Sequence, residues 1–473
     1  MATTSSFSHI NEAIGLAGFC PELVQGTPNY NFTADGGANS GTAVTIDTTS
    51  GATHNNNIAS ITAEKFQGLQ IWFPPTTATS ALQGKAYNIS AQSAPAANIV
   101  TLTVDTMAAT PAGTDVFWIL GVLPIEKTMP DVKTAGLPRD FMRLTLDPAS
   151  SIAGLSDASG SITFEAFGLN TTLGDGVTPV KDRLSVFLET FYGTRTAASG
   201  TAVSGSGSTT TVVDVADASG FAVGQVVVIS GEARKITAID TASTPDNITL
   251  HRALSAAPAD TTVVYGSEHF EPVDTGHATG TLFFLADDSL ITIYGAIGSV
   301  KFSAPFGEIV KCSFDFNGEW DPSQMTDAAS LGGYQLAKSP IAFTSTPNVD
   351  FNTTELATNA IEFDTGSASV DIQDTEAGGK RFFIRERKAM VNLKFRYKNR
   401  TPKYTWEANK TKAYLLACAG TGAGDMIGFG IDGHIPEPAS MSEVNATRYW
   451  DAQFQHYDDQ TANDAQYPRI IRA

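Results

Sequence analysis

The chain has 473 residues, more than one ordinary domain of about 100–200 residues holds. Hydrophobic residues make up 42% of it, which excludes a mainly disordered chain, and no apolar run reaches the roughly 18 residues of a membrane-spanning helix. Lys and Arg number 30 against 49 Asp and Glu, a net charge of −19, yet only 17% of residues are charged. An average surface of that kind does not grip nucleic acid, and the composition does not read as a charge-laced helical protein.

From the N-terminus, Met1 to Ser8 are small and polar, without the basic and apolar segments of a secretory leader, and residues 1–39 read as an arm. Strands are expected over 43–46, 69–73, 99–104 and 116–120, forming a small β module over 40–121. Further strands are expected over 141–146 and 161–167. A helix is expected over 180–192, where Leu184, Phe187, Leu188 and Phe191 recur at i, i+3, i+4 and i+7. Strands over 212–215, 225–229 and 247–250 belong to a second small module, 200–266, which opens on the Gly/Ser-rich stretch 204–208. Strands over 281–285, 290–294 and 309–316 follow, then a linker over 322–339. The last block, 340–473, has strands over 360–363, 390–397, 426–431 and 449–455. It also has a helix expected over 404–419, carrying Trp406, Lys410, Tyr414 and Leu415 and stopping at Gly420.

Two internal similarities organise these elements. Residues 86–121 and 234–266 share the order of a strand, a small-residue turn, an Asn-Ile-containing strand, an Ala/Pro-rich turn and a closing apolar strand. More coarsely, 141–320 without its insert and 360–457 both read β-β-α-β-β. The expected organisation is two related β domains, one formed by 122–199 with 267–321 and the other by 340–473.

Catalytic and metal signatures are weak. Cys20, Cys312 and Cys418 are far apart and read as buried thiols. His9, His54, His251, His269, His277, His434 and His456 show no HxH or HxxxH spacing. Glu268, His269, Glu271, Asp274 and His277 read as a solvated acidic loop rather than a metal site. The stretch 420–425, Gly-Thr-Gly-Ala-Gly-Asp, follows the expected helix instead of opening one, so it reads as a helix-to-strand connection and not a phosphate cradle. Asp287-Asp288 and Asp458-Asp459 read as solvated turn residues. No catalytic residue, metal or cofactor is assigned, and an enzyme is not expected. Trp72, Trp118, Trp320, Trp406 and Trp450 offer sugar-stacking platforms, but core packing is the preferred reading.

One electrostatic feature stands out. Residues 380–403 hold ten basic side chains, a third of the total, opposed only by Glu386. They are Lys380, Arg381, Arg385, Arg387, Lys388, Lys394, Arg396, Lys398, Arg400 and Lys403. Outside this segment 20 basic residues face 48 acidic ones, so an acidic partner surface is present on every further copy of the chain. Arg385, Arg387, Lys388, Lys394, Arg396, Lys398 and Arg400 are therefore the candidate subunit interface. A nucleic-acid-binding patch and plain solvated charge are the competing readings.

The block 277–320 is the most informative. It runs through a strand pair to Gly295-Ala-Ile-Gly-Ser299, an apolar strand, the turn Phe306-Gly-Glu308, and a strand reaching Phe314-Asp-Phe-Asn-Gly318. This resembles the C-terminal part of tail tube (major tail) proteins of long-tailed bacteriophages. The resemblance implies a mainly β fold: two tail-tube-like sandwich or barrel domains, each with one flanking helix, plus the two small β modules. It further implies a virion protein made in the bacterial cytoplasm and built into the tail. Copies would form stacked rings, with three two-domain chains doing the work of six single-domain ones. Its partners would be itself, other tail proteins, and genome DNA passing through without specific binding, with no membrane insertion. The alternatives are another virion component (head decoration, baseplate or tail terminator) and a carbohydrate-binding tail-tip protein.

Overall fold

The computed structural model describes residues 16–22, 31–35, 39–47, 66–74, 76–94, 99–126, 130–137, 152–169, 181–197, 199–273, 277–286, 289–320, 326–327, 340–346, 348–374, 379–396, 400–457 and 468–473. The expected strand 141–146 and most of the expected linker 322–339 lie outside them. The protein is mainly β, and its sheets include a half-barrel.

In chain order, β1 (Leu16–Pro21) is followed by β2 (Asn31–Thr33), β3 (Ala43–Asp47), β4 (Gln70–Trp72), β5 (Ala86–Gln92), β6 (Ile99–Val104) and β7 (Val116–Pro124). Next come β8 (Asp131–Leu137), β9 (Ile152–Glu165), helix α1 (Arg183–Phe191) and β10 (Gly193–Thr196). The second module holds β11 (Gly200–Ala202), β12 (Val212–Val215), β13 (Val226–Ile229), β14 (Glu232–Asp240), β15 (Asp246–Leu250) and β16 (Val263–Gly266). The chain returns through β17 (Glu268–Pro272), β18 (Gly280–Ala286), β19 (Ser289–Pro305), β20 (Lys311–Trp320) and β21 (Thr326–Asp327). The last part begins with β22 (Val349–Phe351), β23 (Thr354–Glu355), β24 (Thr358–Asp364), β25 (Ser367–Asp374), β26 (Gly379–Arg387) and β27 (Met390–Arg396). It ends with helix α2 (Arg400–Asn409), β28 (Ala413–Gly422), β29 (Asp425–His434), β30 (Ser440–Val444), β31 (Thr447–His456) and β32 (Arg469–Arg472).

The largest continuous surface is an antiparallel sheet in the order β8-β9-β20-β19-β24-β27-β31-β30. Its two halves, β8-β9-β20-β19 and β24-β27-β31-β30, use chain-equivalent strands in the same order. A helix follows the second strand of each half: α1 after β9, α2 after β27. The outlying strands correspond too, since β1 pairs with β18 as β22 pairs with β28. Each helix packs an aromatic ring on the matching strand. Phe187 meets Phe19 of β1 at 5.4 Å, and Trp406 meets Phe351 of β22 at 5.0 Å. In β19 the stretch Gly295–Ser299 runs within one long strand, with a bulge at Gly295 and Ala296 where the register shifts between Tyr294 and Ile297 and Gly295 takes φ 56°.

The two small modules also share one topology. Strand order is β3-β6-β5-β4-β7-β2 in the first and β12-β15-β14-β13-β16-β11 in the second, the same order element for element. Bridges Ala34–Ile46 and Val203–Val215 close the two in the same place. Gly68 and Gly224 occupy equivalent corners at φ 85° and 87°. Both touch a neighbouring element: a Cβ would stand 2.4 Å from the Lys181 carbonyl oxygen at Gly68, and 2.6 Å from an Arg469 nitrogen at Gly224. The first module shares the main core. The second has its own, centred on Val213, Ile236 and Ile248, and docks through Val226 and Val228 onto Leu416, Cys418 and Ile471.

Helix α1 forms where the periodicity places it, with Asp182 as N-cap accepting from the Ser185 amide at 2.8 Å. The second helix needs correction. It spans Arg400–Asn409, ending at Lys410 with φ 47°, and Tyr414–Ala419 belong to β28. Leu415 to Gly420 are all buried, so the run lacks the alternation of a half-exposed strand and mimics a buried helix. Gly420 is therefore not a helix stop, and 420–425 is the β28–β29 hairpin.

Glu268 and His269 also differ from expectation, because both are buried in β17 rather than solvated. Glu268 accepts from Arg472 at 3.0 Å and pairs with Arg195, while Arg472 also meets Asp182 at 2.6 Å. Arg472 further donates to the carbonyls of Phe167 and Gly168, so one guanidinium ties β32 to β17, to the start of α1 and to the end of β9. Replacing it removes the cation paired with buried Asp182 and one of the two paired with buried Glu268. We expect Arg472→Met to lower stability by about 3–5 kcal/mol in urea titrations. His269 accepts the Val226 amide at 3.1 Å on Nε2, and burial together with nearby Arg469 lowers its pKa from 6.5 to about 3. The unfolded chain binds that proton first, so the stability His269 contributes is full above pH 6.5 and is lost progressively toward pH 3. His269→Asn should flatten the fall in urea midpoint between pH 6.5 and 4, and an unchanged slope would count against this assignment.

Candidate assembly surface

Residues directly opposite one another in an antiparallel sheet share a face. On one face of the large sheet lie Phe314, Phe316, Val300, Phe302, Ile361, Phe363, Leu393, Phe395, Trp450 and Phe454, all buried. The other face carries Ser161, Thr163, Ser313, Asp315, Ser299, Lys301, Ser303, Glu362, Asp364, Asn392, Lys394, Arg396, Asp451 and Gln453. A single polar surface thus runs unbroken across both halves. β19 and β24 carry it over the junction, with Lys301 opposite Asp364 and Ser303 opposite Glu362.

Three lysines on this face have carboxylate neighbours, whereas Arg396 is exposed without an ion pair among the described residues. Lys301 lies 2.8 Å from Asp315 and 3.5 Å from Asp364, Lys394 lies 3.9 Å from Asp451, and Lys311 pairs with Glu126. The hydrogen bond that Lys301 donates to Asp315, with smaller help from Asp364, raises the Lys301 pKa. Partial burial works against the Asp315 charge, but hydrogen bonds from Lys301 and Ser161 outweigh it and hold the carboxyl below its ordinary value. Lys301, Asp315 and Asp364 line a polar cleft of about 270 Å³ together with Ser367 and Ser369 of β25, and Asn317 donates to Ser369 at 2.8 Å.

The basic segment is divided by the fold. Arg385 and Arg387 lie on the β25–β26 hairpin, a two-stranded sheet of its own. Arg385 is exposed, whereas Arg387 donates to the Val273 carbonyl at 2.6 Å and meets His277 Nδ1 at 3.1 Å. Lys388 is exposed beside Glu386, at 3.1 Å. Lys394 and Arg396 alternate with buried Leu393 and Phe395 and so sit on the polar face. Arg400 opens α2, and Lys398 lies outside the described residues. The described candidates are therefore split between the hairpin (Arg385, Arg387, with Lys388 just after it), the sheet (Lys394, Arg396) and the start of α2 (Arg400).

The remaining candidates fall in the core. Cys20, Cys312 and Cys418 are buried free thiols, as expected. Trp72, Trp118, Trp406 and Trp450 are buried, so they offer no open stacking platform. No group of His, Cys, Asp and Glu suited to a metal ion occurs among the described residues, and no described helix is long and apolar enough to cross a membrane. Sequence reasoning missed a second polar joint. There His251 Nε2 meets Asp350 at 3.0 Å and Arg252 meets Glu355 at 2.6 Å, fastening the second module to the β22–β23 hairpin.

Comparison of the chain with protein-family models gives no match, and neither does comparison with curated proteins. With Asp315 replaced by Asn, the Lys301 ammonium should titrate closer to its ordinary 10.5, as read by NMR of the lysine side chains. Because the pair is half exposed, the stability change should stay within about 1 kcal/mol.

Proposed function

We propose that this protein is a virion structural protein whose copies close into rings and stack into the tail tube of a long-tailed phage, a channel for DNA passage. The observation that carries the reading is the eight-stranded sheet. Two chain-equivalent halves present one continuous polar face, and the opposite face is sealed by the core. A ring of such sheets, polar face inward, gives a wetted channel with a dry wall. A protein of one repeat would close such a ring with six copies, and this chain, with two, closes it with three.

The electrostatics support the same reading. Phosphate binding is driven by free cations that displace counterions. Here Lys301, Lys311 and Lys394 each stand beside a carboxylate, in a chain of net charge −19. DNA moving past such a face meets few cations free to hold it. In this assembly Lys394 and Arg396 would belong to the channel face, while Arg385 on the hairpin and Lys388 just after it, both exposed, would be the basic residues that meet a neighbouring copy. A carbohydrate-binding role has less support, because four of the five tryptophans are buried.

Negative-stain microscopy of the purified protein should show open-ended tubes or rings with three chains per ring. The same material should not retain duplex DNA at about 0.1 M salt, where the Debye length is about 10 Å. Six chains per ring would count against the pairing of repeats, and strong DNA retention would count against the channel role.

A further inference from the structure

The two small modules share a topology but join the rest of the chain in different ways. In the first, β7 runs unbroken from its pairings with β2 and β4 into a ladder with β1. That module therefore shares backbone hydrogen bonds as well as a core with the main body. In the second, the equivalent strand is interrupted. β16 ends at Gly266, Ser267 intervenes, and β17 begins a ladder with β32. The six strands of this module form a sheet of their own around a core of their own. Its two chain ends meet at one point, where the Gly266 amide donates to the Ser199 carbonyl at 2.6 Å.

Polar contacts hold the module on either side of the apolar patch where Val226 and Val228 meet Leu416, Cys418 and Ile471. On the near side the Val226 amide donates to His269 Nε2 at 3.1 Å, and the Ser267 hydroxyl donates to the Val226 carbonyl at 2.5 Å. Arg469 donates to the Gly224 carbonyl at 2.5 Å. On the far side His251 accepts the Lys235 amide on Nδ1 at 2.9 Å, so its proton sits on Nε2, 3.0 Å from buried Asp350. Arg252 pairs there with Glu355, and Lys235 Nζ lies 4.0 Å from the Tyr414 ring centre.

We infer that the second module is a hinged lid on the second half of the chain: it lifts as one body about Ser199 and Ser267, and acid releases it through His269. The first module lacks this freedom, because lifting it breaks the β7–β1 ladder. A proton on His269 Nε2 removes the acceptor of the Val226 amide, so the closed lid excludes the proton and the lifted lid admits it. Burial and the charge of Arg469 act in the same direction, holding the His269 pKa at about 3 while the lid is closed. Arg469 of β32, itself paired with Glu271, is the charge beside the ring. β13 has no titratable side chain, and Arg195 of β10 pairs with Glu268. Closure is therefore complete above pH 6.5 and weakens as the pH falls toward 3. On the far side, burial works against the Asp350 charge, but hydrogen bonds from His251 and Asn348 outweigh it and hold the carboxyl below its ordinary 3.8. A second proton on His251 falls on Nδ1, inside the module, and leaves the bond to Asp350 in place. The other charges at that joint are Arg252 with Glu355, Arg234 with Glu232, and Lys235.

The natural cysteines report this motion separately. Cys418 lies with Val226 and Val228 under the second module, Cys20 with Trp72 and Trp118 under the first, and Cys312 in the main core; all three are buried and free. The test labels the full chain with dithiodipyridine, a thiol reagent active in acid, and identifies the modified cysteine by peptide mass spectrometry. Each rate is divided by that of the same thiol in the urea-unfolded chain at the same pH. Cys418 should react first, its relative rate rising by up to about tenfold per pH unit below pH 6.5, as one proton taken up on opening requires. Cys20 and Cys312 should stay protected down to about pH 4. His269→Asn should make the Cys418 rate level over that range. Arg252→Ala, at the half-exposed far side, should raise the rate several-fold at every pH and keep the slope. Cys418 reacting only together with Cys20 and Cys312 would overturn the lid. A Cys418 rate that opens ahead of the others but is level with pH in the unsubstituted chain, or keeps its slope in His269→Asn, would overturn the acid release. The ring reading stands or falls separately from each of these results.

Discussion

The pairing of β19 with β24 is the joint from which the rest of the architecture follows. β19 is seventeen residues long, and its two ends serve different sheets. Its first part pairs with β18, and its second part lies between β20 and β24. The bulge at Gly295 and Ala296 separates the two parts and turns the strand between them. One strand thereby fixes the outer layer of the first half, its inner sheet and the position of the second half. A slip of one residue at this joint would send Phe302 and Phe363 to the polar face and Lys301 and Asp364 into the core. The register is secured by what a slip would bury.

A second, electrostatic seam runs where the backbone ladder is short. β32 is only four residues long, yet Arg469 and Arg472 connect it to β17, α1 and the second module. Buried ion pairs add little net stability over a well-packed apolar alternative, but they penalise wrong arrangements heavily. That asymmetry suits a joint between segments remote in sequence. Arg472 finds its carboxylates 204 and 290 residues away, so a misplaced strand would leave charges unpaired on both sides.

This separation also explains which parts of the fold were legible from the letters. Alternation in β20 and β27 exposed both strands, because each has one wet face and one dry face. The period of Leu184, Phe187, Leu188 and Phe191 exposed α1. β28 was misread because it is buried on both sides, and an unbroken apolar run carries no period. Glu268 and His269 were misread as a wet loop because their partners lie in β32 and beside α1, beyond any local window. The basic segment was legible as a cluster of charge but not as a surface, since the fold sends Arg385 to a hairpin and Lys394 to a sheet face. The likeness of the two modules showed in their last three strands. Their first three matched only in topology, because short strands constrain burial and turn geometry more than residue identity.

Charge and duplication meet on the polar face. An unpaired lysine there would be repeated on every copy around a ring, and phosphate attraction would rise with each repetition. An unpaired carboxylate would be repeated likewise, adding repulsion between neighbouring subunits. Pairing Lys301 with Asp315 and Asp364, and Lys394 with Asp451, leaves little charge of either sign to be multiplied. The excess of acid over base is then carried by the rest of the molecule. The net charge of −19 therefore says less about this face than the local pairing does. A surface that many copies shared would be governed by its charge per repeat, and on this face Lys301, Lys311 and Lys394 stand beside carboxylates while Arg396 is exposed.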